Sequence, residues 1–336
     1  MNNLKKIGIS ALAGSMVAFS ANAVEMTVSG SAKVTYYNNN PDEVTGNPFG
    51  MNTSLAFSGS GDVNGYETTL TVVQNDANTG LSSAALSVDL GDMGTLTFDQ
   101  GTGAGGLSTI DDKLPSAYEE SWDSIDKASG TASSNGLVGM GNSGVFVYST
   151  EVAGTSVSAQ FGKGSSSANT DDTTGGGSGH GSSWDVALVN SSLMDGLTVG
   201  AGYGDIRNDN GDQKEGSSDT DQHMTAFVSY STGPVTVAYQ QSWLEDNTIG
   251  GVPEHAVGYG VALNLMDGLS VSYNNREIEF LNTGSTADRT EDATGIALAY
   301  TMGAAKIALQ QNETTNNGGT AGTNDENTEI ALSLSF

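Results

Sequence analysis

Several kinds of residue are scarce or missing in this chain, and each shortage excludes a class of protein. There is no cysteine among the 336 residues, so neither a disulfide framework nor a thiolate metal site can organise the fold. Only 11 Lys and Arg stand against 39 Asp and Glu, which excludes the basic surface that nucleic-acid binding requires. The acidity fits either a passage that attracts cations or a surface adapted to saline surroundings.

Long apolar runs are also missing, apart from one near the start. Apolar residues make up 36% of the chain, fewer than a soluble protein of this length normally buries. The single run, residues 7–19, follows Lys5 and Lys6 and precedes Ala21-Asn22-Ala23. It is too short to span a membrane as a helix, and the pattern is that of a secretory signal peptide. We therefore predict a signal peptide over residues 1–23 and one exported domain over 24–336.

The chain contains many short segments in which apolar residues alternate with small or polar residues. In residues 197–204, for example, Leu197, Val199, Ala201 and Tyr203 alternate with Thr, Gly, Gly and Gly. Alternation of this kind places one apolar and one small or polar face on each strand, which suits a barrel with lipid outside and water inside. Sixteen such strands are predicted near 26–37, 52–60, 66–76, 83–91, 94–100, 144–150, 155–163, 182–191, 197–206, 222–232, 235–245, 255–265, 269–279, 292–302, 305–313 and 327–336.

The connections alternate between tight turns and long polar loops. Met-Asp-Gly at 194–196 and again at 266–268 is typical of hairpin turns. The even strand count puts both termini on one side, predicted to be periplasmic, with the long loops outside the cell. The longer loops are predicted near 38–51, 77–82, 101–143, 164–181, 207–221, 246–254, 280–291 and 314–326.

The end of the chain carries a further signal. Residues 329–336 alternate without a break, and Ile330, Leu332, Leu334 and Phe336 share one face. A terminal Phe that closes an alternating strand resembles the outer-membrane sorting signal read by the barrel assembly machinery. We therefore expect this machinery to be a partner through Phe336.

Three segments together resemble one family. They are Leu90-Gly91-Asp92-Met93-Gly94-Thr95-Leu96-Thr97-Phe98-Asp99-Gln100-Gly101, the N-terminal Val28-Ser29-Gly30-Ser31-Ala32-Lys33-Val34, and the terminal Phe336. The whole pattern resembles the Gram-negative general-diffusion porins, and within them the alphaproteobacterial, Rhodobacter-like branch. The resemblance implies a transmembrane antiparallel β-barrel of sixteen strands in the outer membrane, assembled as a homotrimer. It also implies a long third loop folded into the lumen, passive diffusion of small hydrophilic solutes, and no enzymatic activity or required cofactor.

The candidate third loop, residues 101–143, is rich in acids. In the resembling family, acids of this loop line a constriction and face basic residues on the barrel wall, so that charge and polarity sort the solutes. The same loop carries Trp122, a candidate for stacking on a solute. The predicted constriction acids are Asp111, Asp112, Glu119, Glu120, Asp123 and Asp126.

The chain departs from the family in its basic residues. Residues 34–112 contain no Lys or Arg, so strands two to five offer no row of basic side chains to the lumen. By strand parity, the bases expected to face the lumen are Lys33, Arg276 and Lys306. Our hypothesis is a pore with a weak basic wall and a preference for cations. Several Lys or Arg side chains facing the acids of residues 111–126 would count against it.

The acidic residues and histidines outside the third loop suggest other kinds of chemistry. Asp205, Asp209, Asp212 and Glu215 offer hard oxygen ligands for a weak Ca²⁺ site, although they do not match an EF-hand loop. The chain contains three histidines, and an outer-membrane barrel hydrolase would need a Ser-His-acid geometry that no spacing here suggests. An acidic secreted or surface adhesin, built as a β-sandwich or solenoid, would share the signal peptide and the alternation. These alternatives stay open at this point.

Overall fold

Each strand of the molecule pairs with its chain neighbours, and the last strand pairs with the first, so that the sheet closes on itself. The computed structural model describes residues 25–39, 47–75, 82–102, 105–122, 143–163, 179–209, 220–245, 253–281 and 289–336. The sixteen strands are β1 Glu25–Asn39, β2 Phe49–Val63, β3 Tyr66–Asn75, β4 Ser83–Asp89, β5 Thr95–Gln100, β6 Ser143–Val152, β7 Thr155–Lys163, β8 Gly179–Asn190, β9 Leu197–Asp209, β10 Thr220–Thr232, β11 Val235–Glu245, β12 Glu254–Met266, β13 Leu269–Phe280, β14 Arg289–Met302, β15 Ala305–Thr315 and β16 Asp325–Ser335.

This closed antiparallel barrel confirms the predicted fold class and the predicted number of strands. Closure pairs β1 with β16 from Ser31 opposite Ser335 to Asn39 opposite Asn327. A closed sheet leaves no unpaired edge, which is the condition for strands to cross a lipid bilayer. A β-sandwich or solenoid is ruled out, and with it the adhesin alternative in the form that was predicted.

The alternation of the sequence becomes an inner and an outer surface. On β11, Val237 and Tyr239 are exposed on the outside, whereas Ala238 and Gln240 are buried towards the lumen. On β15, Ile307 and Leu309 face outwards in the same way. Apolar side chains on the outer face of a barrel are stable in contact with lipid, because no polar backbone group is left unpaired there. The described residues include no helix that is long and apolar enough to cross a membrane.

The tight turns set the register of the hairpins. Asn64 and Gly65 connect β2 to β3 with positive φ angles of 58° and 90°, and Ala153 and Gly154 connect β6 to β7 with 50° and 76°. Turns of this type match the right-handed twist of paired strands. Eleven of the sixteen strands reach beyond a predicted boundary at one end or both; β2, for example, spans Phe49–Val63 rather than 52–60.

Candidate pore constriction

The longest connection, residues 101–142 between β5 and β6, is here called the inward loop, and its described part, residues 101–102 and 105–122, folds back into the barrel. Its first part is fixed by hydrogen bonds to the lumen face of two strands. The backbone N–H of Gly106 donates to Ser158 Oγ on β7 at 2.8 Å, and that of Leu107 donates to Asp185 Oδ1 on β8 at 2.7 Å. The loop therefore enters the lumen beside β7 and β8.

The middle of the inward loop is held by one amide side chain. Gln240 on β11 donates from Nε2 to the carbonyl oxygens of Ile110 and Asp111, each at 2.8 Å, and accepts from the N–H of Lys113 at 2.9 Å. Gln240 thus satisfies three backbone groups of a segment that has no regular secondary structure of its own. Such groups would be costly to bury without partners.

The far end of the described loop reaches β13, β15, β16 and β1. Tyr118 donates from its hydroxyl to Glu329 Oε1 at 2.7 Å, and the Glu119 carboxylate meets Lys33 Nζ at 2.6 Å. Gln310 and Asn312 both donate to the carbonyl oxygen of Glu120, at 2.7 and 3.1 Å. The inward loop therefore lies along the inner wall from β7 round to β16 and β1.

Small wall residues make room for the apolar side chains of the loop. A Cβ on Gly202 would lie 2.6 Å from Leu107 Cδ2, and one on Gly258 would lie 2.8 Å from Leu114 Cδ1. At Gly295, the Cβ would lie 2.7 Å from the backbone Cα of Ser121. Because Leu107 and Leu114 are buried in this way, each contributes about 1.5–3 kcal/mol to holding the loop. The small residues of β9, β12 and β14 thus form the surface on which the loop packs.

Four of the predicted constriction acids lie in the described part of the loop: Asp111, Asp112, Glu119 and Glu120. Asp111 is partly buried, and Asp112 donates its N–H to Asp111 Oδ1 at 3.0 Å. Burial raises the pKa of the Asp111 carboxyl above its ordinary value, although that hydrogen bond and the charge of Lys113 act in the opposite direction. Asp123 and Asp126 lie outside the described residues.

The structure brings all three predicted bases to the inward loop. Besides the pair of Lys33 with Glu119, Lys306 Nζ lies 5.4 Å from the centre of the Tyr118 ring, and Lys33 Nζ lies 5.7 Å from it. Burial and the hydrogen bond to Glu329 raise the pKa of the Tyr118 phenol, which therefore stays protonated and neutral between the two ammonium groups. Three bases beside the acids of the loop count against the hypothesis of a weak basic wall.

Arg276 on β13 is the most buried of the three bases. Its guanidinium lies 4.3 Å from the centre of the Trp122 ring, and its Nη2 lies 3.0 Å from Glu291 Oε1. Trp122 is only 9% exposed, because one face of its ring is covered by Arg276 and it packs in a cluster with Leu114. Little ring surface is left for a solute, so the predicted solute contact at Trp122 gains no support.

The predicted calcium ligands are only partly described. Asp205 accepts the Tyr203 hydroxyl at 2.8 Å, while the side chain of Asp209 and all of Asp212 and Glu215 lie outside the described residues. Within the described part of the chain, no three His, Asp or Glu side chains are grouped so that they could hold a metal ion. Of the histidines, His223 is buried in the barrel wall and His255 stacks on Trp243 at 5.3 Å.

Opposite the first part of the inward loop, the lumen is open. A space of about 920 Å³ extends along β3 to β8. Most of the polar side chains that line it are hydroxyls, and no Lys or Arg is among the lining residues that the structure describes. A barrel with an apolar outer face, an open polar interior and an inward third loop is the architecture of a diffusion channel.

The family model for Gram-negative porins matches residues 8–336. The chain belongs to the Gram-negative porin family. This membership and the closed barrel imply an outer-membrane channel. No match is found among curated proteins.

Solved structures of similar fold include several porins. A porin refined at 1.8 Å resolution is 15% identical with a TM-score of 0.62, over 93% of this chain and 100% of that one. An anion-selective porin from Comamonas acidovorans is 13% identical with a TM-score of 0.61, over 94% and 100%. The trimer form of OmpT from Vibrio cholerae is 15% identical with a TM-score of 0.60, again over 94% and 100%.

Several residues that position the loop of this porin were not singled out from the sequence. They are Gln240, Ser272, Gln310 and Asn312, which anchor the loop backbone, and Glu329, which receives the Tyr118 hydroxyl. A signal for one of them was present. On the lumen face of β11, the long amide of Gln240 stands between the small residues Ala238 and Ser242.

Proposed function

We propose that this porin is a passive, water-filled channel for small hydrophilic solutes and ions, with a preference for cations. The observation that carries the proposal is the open space of about 920 Å³ inside a barrel whose interior is polar and whose outside is apolar. Passage through such a channel needs neither an energy source nor a covalent step. Catalysis is not part of the proposal, because the two histidines whose side chains are described, the buried His223 and His255 stacked on Trp243, offer no accessible Ser-His-acid geometry.

The cation preference is supported by the balance of charge around the inward loop. Lys33 and Arg276 are each paired with a carboxylate, which cancels much of their attraction for anions. Further acids on the loop and wall exceed the remaining bases, and the whole chain carries a formal charge of −28. A surplus of fixed negative charge raises the local concentration of cations in a narrow passage. The acids meant here are Asp99, Asp111, Asp112, Glu120, Glu254 and Glu329.

The deciding experiment is single-channel recording of the purified mature protein in a planar bilayer under a KCl gradient. We expect stepwise open-channel currents and a reversal potential displaced towards that of potassium. A reversal potential displaced towards chloride would leave the channel in place and overturn the cation preference. A protein that inserts as a folded barrel yet gives no current would overturn the channel itself.

The finer features of the protein are proposed on the same basis. We propose that residues 1–23 are removed on export, that the long loops face the outside of the cell, and that Phe336 engages the barrel assembly machinery. A homotrimer is proposed because a porin of similar fold, OmpT, has a trimer form. Placement in the alphaproteobacterial, Rhodobacter-like branch rests on the sequence resemblance alone.

Weak Ca²⁺ binding at Asp205, Asp209, Asp212 and Glu215 is also proposed, as a loose site in an acidic loop rather than a required cofactor. Isothermal titration of the detergent-folded protein with CaCl₂ tests it. The heat of binding should disappear when Asp209, Asp212 and Glu215 are replaced together by Asn, Asn and Gln. An unchanged heat of binding in that variant would mean that Ca²⁺ binds at other residues.

A further inference from the structure

The lumen of this porin has two unlike walls. The wall from β7 to β16 carries the inward loop, whose hydrogen bonds to Ser158, Gln240 and Gln310 fix it there. The wall from β2 to β6 carries mainly small hydroxyl side chains and is here called the hydroxyl wall. Neighbouring strands pair them on the lumen face: Ser58 bonds Thr71 at 3.0 Å, and Ser87 bonds Thr97 at 2.8 Å.

The hydroxyl wall holds acids but no base, and both Asp99 of β5 and Glu151 of β6 line the open space. Neither residues 34–112 nor β6 contain any Lys or Arg, so a row of basic side chains opposite the loop is impossible. The charged group on β5, Asp99, is buried, and its Oδ1 accepts the N–H and the hydroxyl of Thr102, each at 2.7 Å. The Asp99 carboxylate is thus hydrogen-bonded within its own turn.

The bases of the constriction lie on the same side as the acids. Lys33 is 2.6 Å from Glu119, and Arg276 is 3.0 Å from Glu291, with Lys306 next to the Tyr118 ring. Opposite charges in contact largely cancel at distances several times their separation. The remaining acids of the inward loop therefore face no wall of bases across the open gap, in contrast to a loop of acids that faces basic residues.

We propose that the hydroxyl wall is a hydrogen-bonding surface for small uncharged polyols and sugars. This porin passes such solutes faster than zwitterionic solutes of similar size. The inference rests on the proposed channel function and names the solute class for it. Each Ser and Thr hydroxyl can donate one hydrogen bond and accept others, as a sugar hydroxyl does. A zwitterion gains less from such a wall, because no base there pairs with its carboxylate and the carboxylate of Glu151 repels it.

The dimensions of the open space agree with such a solute. The space of about 920 Å³ falls within the range of roughly 300–1,000 Å³ that is usual for small-molecule sites. Hydroxyls from four neighbouring strands converge on it, which allows a flexible polyol to exchange one hydrogen bond for the next as it passes. The converging hydroxyls include those of Thr71, Ser87, Thr95, Thr97 and Ser149.

The test is the swelling of proteoliposomes that contain the purified trimer or monomer, as isolated, in ribitol and in glutamine. The two solutes have nearly the same mass, and glutamine is zwitterionic at neutral pH. We expect ribitol to enter at least about twofold faster, the effect of roughly one net hydrogen bond. This ratio is measured on the unaltered protein, so it does not depend on the folding of any variant.

A triple variant then assigns the preference to the wall. Ser87→Ala, Thr95→Val and Thr97→Val remove hydroxyls at nearly constant volume, and should lower the ratio of ribitol entry to glutamine entry about threefold. The matched control is Thr53→Val with Thr68→Val, which removes hydroxyls from the outer face of β2 and β3.

The outcomes separate the inference from the function on which it rests. Equal entry of ribitol and glutamine through a conducting channel overturns the solute class and leaves the channel intact. A triple variant that slows neither solute, or slows both equally, removes the hydroxyl wall as the cause. A folded barrel that conducts no ions and admits no solute overturns the channel and the inference together.

Discussion

Gly30 and Phe336 close the barrel together. The N–H of Gly30 donates to the carbonyl of Phe336 at 2.7 Å, and the N–H of Phe336 donates back to Gly30 at 2.9 Å. The Phe336 ring lies on the outer face where a Gly30 side chain would stand, with ring carbon Cε2 2.5 Å from the position of a Cβ. An aromatic ring laid over a strand glycine covers backbone that would otherwise be exposed.

Gly30→Val should weaken this closure. The added side chain displaces the Phe336 ring, so we expect a loss of about 1–3 kcal/mol and a lower temperature at which the folded barrel unfolds. Electrophoresis of heated, detergent-folded samples measures that temperature. Ala226→Val is the control, because Ala226 is exposed on the outer face of β10 away from the closing strands. Equal unfolding temperatures for the two variants would mean that the ring contributes nothing to closure.

Gly202→Val should open the constriction. A Cβ at Gly202 meets Leu107 at 2.6 Å and Ile110 at 3.0 Å, so the valine pushes the inward loop off its seat at a cost of about 1–3 kcal/mol. We expect a larger single-channel conductance and noisier open-channel current. The control is Ala201→Val, the adjacent residue on the outer face of β9. A conductance equal to that of the control would show that the loop does not narrow the pore.

Replacing Lys33 and Lys306 by Met should strengthen the cation preference. The double change removes two positive charges beside the loop and leaves the Glu119 carboxylate without its partner at 2.6 Å. The permeability ratio of potassium to chloride should rise about twofold or more, as measured by the reversal potential. Arg289→Met, which removes an exposed base at the end of β14, should change the ratio little. A fall in the ratio would contradict the proposed charge balance.

The cation preference should also weaken on acidification, and Asp111 should respond early. Because burial raises the pKa of Asp111, this carboxyl binds its proton at a higher pH than an ordinary aspartate as the pH falls. Asp111→Asn should therefore lower the permeability ratio about twofold at neutral pH and delay the onset of its pH dependence to lower pH. Reversal potentials measured between pH 7 and pH 4, a span of about three units around ordinary carboxyl values, follow both effects.

The control for the pH series is Glu67→Gln, which removes an exposed carboxylate at the turn between β2 and β3. It should leave both the ratio and its pH dependence as they are in the unaltered protein. If Asp111→Asn behaves like this control, Asp111 does not act on the permeating ions.

The barrel could be predicted from the sequence because its signal repeats on every strand. Alternation along residues 197–204 or 329–336 fixes which side chains face lipid, and parity alone placed Lys33, Arg276 and Lys306 on the lumen side. The same small residues were interpreted less well. The glycines within residues 197–204 suggested a wet lumen, whereas Gly202 makes room for Leu107 of the inward loop.

The path of the inward loop could not be predicted, because it depends on single contacts between residues far apart in the chain. Gln240 holds Ile110 from 130 positions away, and Glu329 holds Tyr118 from 211. No periodicity records such pairs, and the loop has no strand parity from which the direction of a side chain follows. The composition of the loop predicted its acidity, but not that Trp122 would pack under Arg276 rather than face a solute.

The pairing of the first strand with the last has a consequence for how the protein is made. Ser31 meets Ser335, so the contact that completes the barrel joins positions separated by nearly the whole chain. Contacts of such long sequence separation form late and slowly, because the loop entropy is lost before the contact can compensate for it. Until then the nascent chain presents two open strand edges, each able to pair with another chain. Shielding of those two edges during assembly should therefore limit pairing between copies of the chain.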